Sequence, residues 1–142
     1  MIRTSRVVMA LAAVFTGVLV GASTAVAAQA DVPCPPDSLC LYEDKDFGGY
    51  MIAFPAGSAV PSLHEYLCLG CNSSKHPGSN NTWGDMLSSW RNTSDIGYCQ
   101  FRNIDYNGNT YYGFLANYEV SYVGKGLNDE ISSFHPAPCP EY

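Results

Sequence analysis

Two stretches of this sequence set oxygen-bearing side chains at a common spacing: Asn128-Asp129-Glu130-Ile131-Ser132-Ser133 and Gly84-Asp85-Met86-Leu87-Ser88-Ser89. A tight turn of such residues gathers carboxylate, amide, hydroxyl and carbonyl oxygens. Calcium takes six to eight such oxygens at about 2.3 to 2.6 Å. The same side chains also serve hairpin ends with no ion, because Asx and Ser groups bond nearby backbone. A third stretch, His64-Glu65-Tyr66-Leu67-Cys68-Leu69-Gly70-Cys71 with His76 beyond, places a C-x2-C pair between two histidines. Those donors would suit zinc, but an exported chain with further cysteines at Cys99 and Cys139 favours disulfides, and zinc is not expected.

Nothing here points to an enzyme. There is no G-x-S-x-G elbow, and Ser88, Ser89, Ser132 and Ser133 recur as repeat positions. Acid pairs such as Glu43/Asp44 and Asp129/Glu130 are neighbours in sequence, so on strands they face opposite ways and cannot form a facing acid/base pair.

The elements that position these residues lie in one small domain. The chain has 142 residues, 46% hydrophobic and only 14% charged, with 10 tyrosines, which excludes a charge-driven disordered chain. Residues 1–30 combine Arg3 and Arg6, an apolar stretch and a terminal Ala28-Gln29-Ala30, and read as a secretory signal peptide. Residues 31–142 are then the exported domain, extracellular and with no membrane segment. Without those two arginines, five Lys and Arg face 13 Asp and Glu, a net charge of −8. Five scattered cations cannot follow a phosphate backbone, so nucleic acid is not a partner. Cys34, Cys40, Cys68, Cys71, Cys99 and Cys139 all lie in the exported part. They imply three disulfides, with fifteen connectivities open; Cys34 and Cys40 span a Pro-rich loop that could close on itself.

An internal repeat organises the domain. Cys40, Tyr42, Asp46, Phe47 and Gly49 match Cys99, Phe101, Asp105, Tyr106 and Gly108 at an offset of 59, and the two Asx/Ser turns match at an offset of 44. The first copy is therefore 15 residues longer. The extra length falls between Pro61 and Thr82 and is expected to be an exposed loop. Short aromatic and β-branched runs broken by glycine read as strands, four to a unit. A short helical turn is allowed near Leu63 to Leu67 or Ser121 to Leu127. Two such units, each too small to bury a face alone, predict an all-β, disulfide-bonded sandwich of two Greek keys, about 39–91 and 98–135.

An aromatic, six residues and a glycine, followed by an Asx turn ending in Ser-Ser, resembles the βγ-crystallin fold. In its microbial members the turn is a calcium signature, which residues 128–133 fit throughout and residues 84–89 fit except at Gly84. The resemblance implies one or two calcium ions held by Asn128, Asp129, Ser132, Asp85 and Ser88, with backbone oxygen from Glu43 and Arg102. With its Cys-Pro start and Leu-Cys-Leu-Tyr-Glu-Asp segment, the exported chain also resembles the secreted βγ-crystallin-type peptidase inhibitors of actinobacteria, named for a metalloproteinase inhibitor. The expected function is thus a monomeric inhibitor of secreted metallopeptidases. Its inhibitory loop would be Leu67, Cys68, Leu69, Gly70 and Cys71, because a clamped, extended, exposed segment binds at low entropic cost. The alternative is a calcium-binding structural or cell-surface module with no protease target.

Overall fold

In the segment Leu39-Cys40-Leu41-Tyr42, period-two alternation sends the leucines to one face and Cys40 and Tyr42 to the other. All four are buried, as a central strand requires. The structure, a computed structural model, describes residues 32–140; the expected signal peptide lies outside them. The described strands are β1 (Ser38–Tyr42), β2 (Met51–Pro55), β3 (Ser89–Asn92), β4 (Tyr98–Phe101), β5 (Thr110–Phe114), β6 (Tyr118–Val120) and β7 (Ser133–Pro136). They form two antiparallel sheets, ordered β2-β1-β3-β6 and β5-β4-β7. Leu41 lies opposite Ile52 on one side and Trp90 on the other, and Trp90 opposite Val120.

The units exchange their third segments. β6 belongs to the second unit but pairs with β3 of the first, while Val60 of the first unit bridges Phe134 in β7. Four strands were expected per unit, and the first unit has three and this single bridge. Val60 stands between Ala56-Gly57-Ser58-Ala59 and Pro61, a run with one β-branched residue and a proline that cannot donate to a ladder.

The sequence repeat reappears bond for bond. Ser89 Oγ donates to the Asp44 carbonyl at 2.5 Å and accepts the Phe47 amide at 3.1 Å; Ser133 Oγ donates to the Asn103 carbonyl at 2.6 Å and accepts the Tyr106 amide at 3.2 Å. Each serine thus folds its unit's first hairpin over the sheet. The hairpins turn through left-handed residues at the same places, Asp46 and Phe47 in one, Asp105 and Tyr106 in the other. Such backbone is costly for side chains with a Cβ and survives only where surrounding bonds hold it.

The core lies between the sheets. Phe134 contacts Phe54, Tyr98 and Phe114 edge to face at 5.0, 5.7 and 5.9 Å, and Trp90 meets Phe114 at 5.3 Å. Such pairs contribute about 0.5 to 1.5 kcal/mol each beyond burial. Of the connectivities left open, the fold adopts Cys34–Cys40, Cys68–Cys71 and Cys99–Cys139. The helical turn near Leu63 is a 3-10 turn at Leu63–Glu65. Residues 121–127 make only turns, with the Leu127 and Asn128 amides on the Gly124 carbonyl, in a stretch where Gly124 and Gly126 disfavour a helix.

Candidate functional site

The added length of the first unit leaves the sandwich after Val60 and is pinned at once. Leu63 is buried and its amide donates to the Ser132 carbonyl at 2.8 Å. Tyr66 packs on Phe54 at 5.2 Å, and the Trp83 amide bonds the Tyr66 carbonyl at 2.9 Å, closing the base of the loop. Beyond that base Leu67 and Leu69 are 73% and 71% exposed, whereas Cys68 and Cys71 are buried. The expectation of an exposed loop therefore holds for Leu67 and Leu69 and fails for Leu63 and for the two cysteines, whose sulfurs join in a bridge. With both sulfurs in that bridge, they offer zinc no thiolate.

Asn81 shapes the tip. Its carbonyl accepts the Cys68 amide at 2.9 Å, its amide donates to the Cys71 carbonyl at 3.0 Å, and its side-chain oxygen accepts the Gly70 amide at 3.0 Å. Asn72 Nδ2 donates to the Gly70 carbonyl at 2.6 Å, and the Asn72 amide reaches the Glu43 carboxylate at 3.2 Å. Gly70 has φ +107°, and a Cβ there would stand 2.7 Å from the Tyr50 hydroxyl, so only glycine fits. The result is a tip held by its own hydrogen bonds, with Leu67 and Leu69 exposed on it.

The two Asx/Ser turns lie beside this loop, with Asp85 and Asp129 both left-handed. They are cross-wired: the Asp85 amide bonds the Ile131 carbonyl at 3.0 Å, and the Asp129 amide bonds the Leu87 carbonyl at 3.1 Å. Ser132 Oγ donates to Asp85 Oδ1 at 2.8 Å, so an acid of one unit meets a serine of the other. His64 Nε2 lies 3.2 Å from that hydroxyl and 3.8 Å from Asp85 Oδ2. Asp85, Ser132, Arg102 and Glu130 share an open cleft with His64 and His76, about 600 Å³ in volume. Ser88 is buried and held through its backbone, its amide on the Tyr42 carbonyl and its carbonyl on the Val123 amide.

Around the second turn the charges are arranged against one another. Burial pushes the Asp129 carboxyl above the usual range, opposed by the Ser73 hydrogen bond and by Lys75. The Lys75 hydrogen bond holds Glu130 below its usual value, helped by Arg102 and His76. Arg102 spends its guanidinium on Glu130 at 2.9 Å and the Gly126 carbonyl at 2.7 Å. Glu43 turns its carboxylate to the loop, accepting the Asn72 amide and, at 3.4 Å, the Tyr50 amide.

The residues expected to hold calcium do not fit it as they stand. Lys75 Nζ bonds the Asn128 carbonyl, Ser73 and Ser79 hydroxyls sit on Asp129 and Asp85, and the first position of one turn, Gly84, is covered by the His64 ring, 2.2 Å from where a Cβ would be. Sequence reasoning missed Ser73, Lys75, Ser79 and Asn81, which no motif marks; the departure of Gly84 from the turn pattern marks the His64 ring that covers it.

Two interlocked Greek keys, each folded over by its own serine, make a βγ-crystallin-type domain. A solved structure from work on the evolution of the eye lens beta-gamma-crystallin domain fold is similar at 21% identity and TM-score 0.56, covering 77% of this chain and 94% of that one. The beta gamma crystallin from Ciona intestinalis is similar at 22% identity and TM-score 0.50, covering 70% and 99%. No curated protein matches the sequence. The chain belongs to peptidase inhibitor family I36, which it matches over residues 27–114. It is a peptidase-inhibitor-family protein on a βγ-crystallin fold, and that family is not one of enzymes.

Proposed function

We propose that the protein is an exported, monomeric inhibitor of metallopeptidases that seats the leucine tip in the enzyme's cleft. The observation that carries this is the pair Leu67 and Leu69, more than 70% exposed on either side of the buried Cys68, whose sulfur is bridged to Cys71. Full burial of a leucine contributes about 1.5 to 3 kcal/mol. A segment already fixed by Asn81 and the bridge retains most of that gain, because little ordering is left to do on binding. The apolar tip suits an enzyme whose cleft takes large aliphatic side chains and offers nothing to a pocket selecting cations. Three disulfides agree with an oxidising, extracellular setting.

The test is titration of a thermolysin-like metallopeptidase with the oxidised protein, in saturating calcium and with zinc buffered to exclude chelation. The expected result is stoichiometric inhibition, weakened roughly tenfold or more by Leu69→Ala or Leu67→Ala, a loss of about 1.4 kcal/mol or more. No inhibition at large molar excess removes this target class.

A further inference from the structure

We propose that the two acidic turns are the anchorage of the inhibitory loop, with the Lys75 ammonium as their resident cation in place of calcium. Residues 72–81 run from the Cys68–Cys71 bridge across both turns, and their polar groups are spent on them. Ser73, buried, donates its hydroxyl to Asp129 Oδ2 at 3.3 Å while accepting the Lys75 and His76 amides at 3.2 and 3.0 Å. One hydroxyl thereby ties the carboxylate to two amides of the loop.

Lys75 follows. Its ammonium reaches the Asn128 carbonyl at 2.7 Å, Glu130 Oε1 at 2.9 Å and the Lys125 carbonyl at 3.1 Å. An ammonium has three donors, and all three are used. Glu130 is thereby paired with two cations, Lys75 on Oε1 and Arg102 on Oε2, each at 2.9 Å. A calcium ion added to this arrangement would meet the ammonium's repulsion at close range, and one that displaced it would break all three bonds.

At the other turn Ser79 Oγ donates to Asp85 Oδ2 at 3.0 Å, leaving Ser132 on the second carboxylate oxygen. The path to the tip is short. The Ser73 amide bonds Asn80 Oδ1 at 2.8 Å, and Asn81 is the residue that clamps Cys68, Gly70 and Cys71. Gly84 completes the device, because an Asn or Asp there would collide with the His64 ring. For inhibition itself the anchorage matters only if residues 67–71 are the inhibitory loop, the reading given above.

Amide hydrogen exchange on the oxidised protein tests this without any protease. In chelator and in millimolar calcium chloride the wild type is expected to show the same melting temperature and the same protection of the Cys68, Gly70 and Asn81 amides. Lys75→Met should speed exchange of those amides by about tenfold while β1 and β4 stay protected, the pattern of local rather than global opening. Lys75→Arg, which keeps the charge and the donors, should restore most of the protection. A calcium-induced rise in melting temperature of the wild type, or unchanged loop exchange in Lys75→Met, overturns the proposal. Inhibition measured on the same samples separates the two readings: loosened exchange with no inhibition in any variant leaves the anchorage standing and removes the inhibitor.

Discussion

Replacing Cys68 and Cys71 together by alanine separates the shape of the tip from the stability of the sandwich. The bridge spans three residues, and loop-closure entropy for so short a loop amounts to about 1.6 kcal/mol. The Cys99–Cys139 bridge spans 40 residues, for which the same relation gives about 3.9 kcal/mol. At about 4 to 8 °C per kcal/mol for a domain of this size, the first double variant should lose about 10 °C in melting temperature, and Cys99→Ala with Cys139→Ala about twice that. Inhibition should rank the other way. Asn81 still holds the backbone of Cys68, Gly70 and Cys71, so the freedom restored is chiefly that of Leu67 and Leu69, roughly 1 kcal/mol or more each, which binding must remove again. The inhibition constant should therefore weaken by about thirtyfold, equivalent to about 2 kcal/mol. The loosened tip should also be cut as a substrate. The Cys99/Cys139 variant, assayed well below its melting temperature, should inhibit within a few-fold of wild type. Melting by circular dichroism and inhibition kinetics on the same preparations decide the matter. Unchanged inhibition by the Cys68/Cys71 variant would refute the reasoning, because a tip that needs no bridge is not held by it.

Ser89→Ala and Ser133→Ala each remove a hydroxyl that makes the same two backbone bonds, so urea denaturation should show losses of about 1 to 3 kcal/mol, alike in the two variants. Gly70→Ala places a methyl against Tyr50 at φ +107°; a loss of about 1 to 3 kcal/mol with weakened inhibition is expected, read by melting and titration. Glu130 has its carboxyl held below the usual value by Lys75 and Arg102. Its contribution, about 1 kcal/mol, is present above the ordinary glutamate range and lost as pH falls through the lowered value. Glu130→Gln should thus be less stable than wild type near neutrality, with the gap closing in acid, as followed by melting across pH.

The fold was legible because its repeated residues have backbone duties that few side chains perform. Ser89 and Ser133 must both donate and accept to hold a hairpin, and Gly49 and Gly108 must turn left-handed, so their identity and spacing survive in both copies. The third segment of the first unit left no such mark, since one bridging residue, Val60, has no period. The loop was legible as an interruption, whereas the bridge between its two cysteines was one of the connectivities left open. The loop's anchorage was not legible, because Ser73, Lys75 and Ser79 find partners 56, 53 and 6 residues away, and nothing in local spacing announces which serine meets which acid. The Asx/Ser pattern pointed to the right turns while leaving open whether an ion or the chain itself sits on them.

The exchange of third segments bears on how such a molecule endures among proteases. β6 lies in the sheet of the first unit and Val60 against the last strand of the second, so neither half is complete by itself. A nick in the connection between β3 and β4, residues 93–97, would therefore release nothing: each half remains gripped by a strand or bridge of the other, under a shared aromatic core. Cleaved there, the molecule stays assembled as two interlocked fragments.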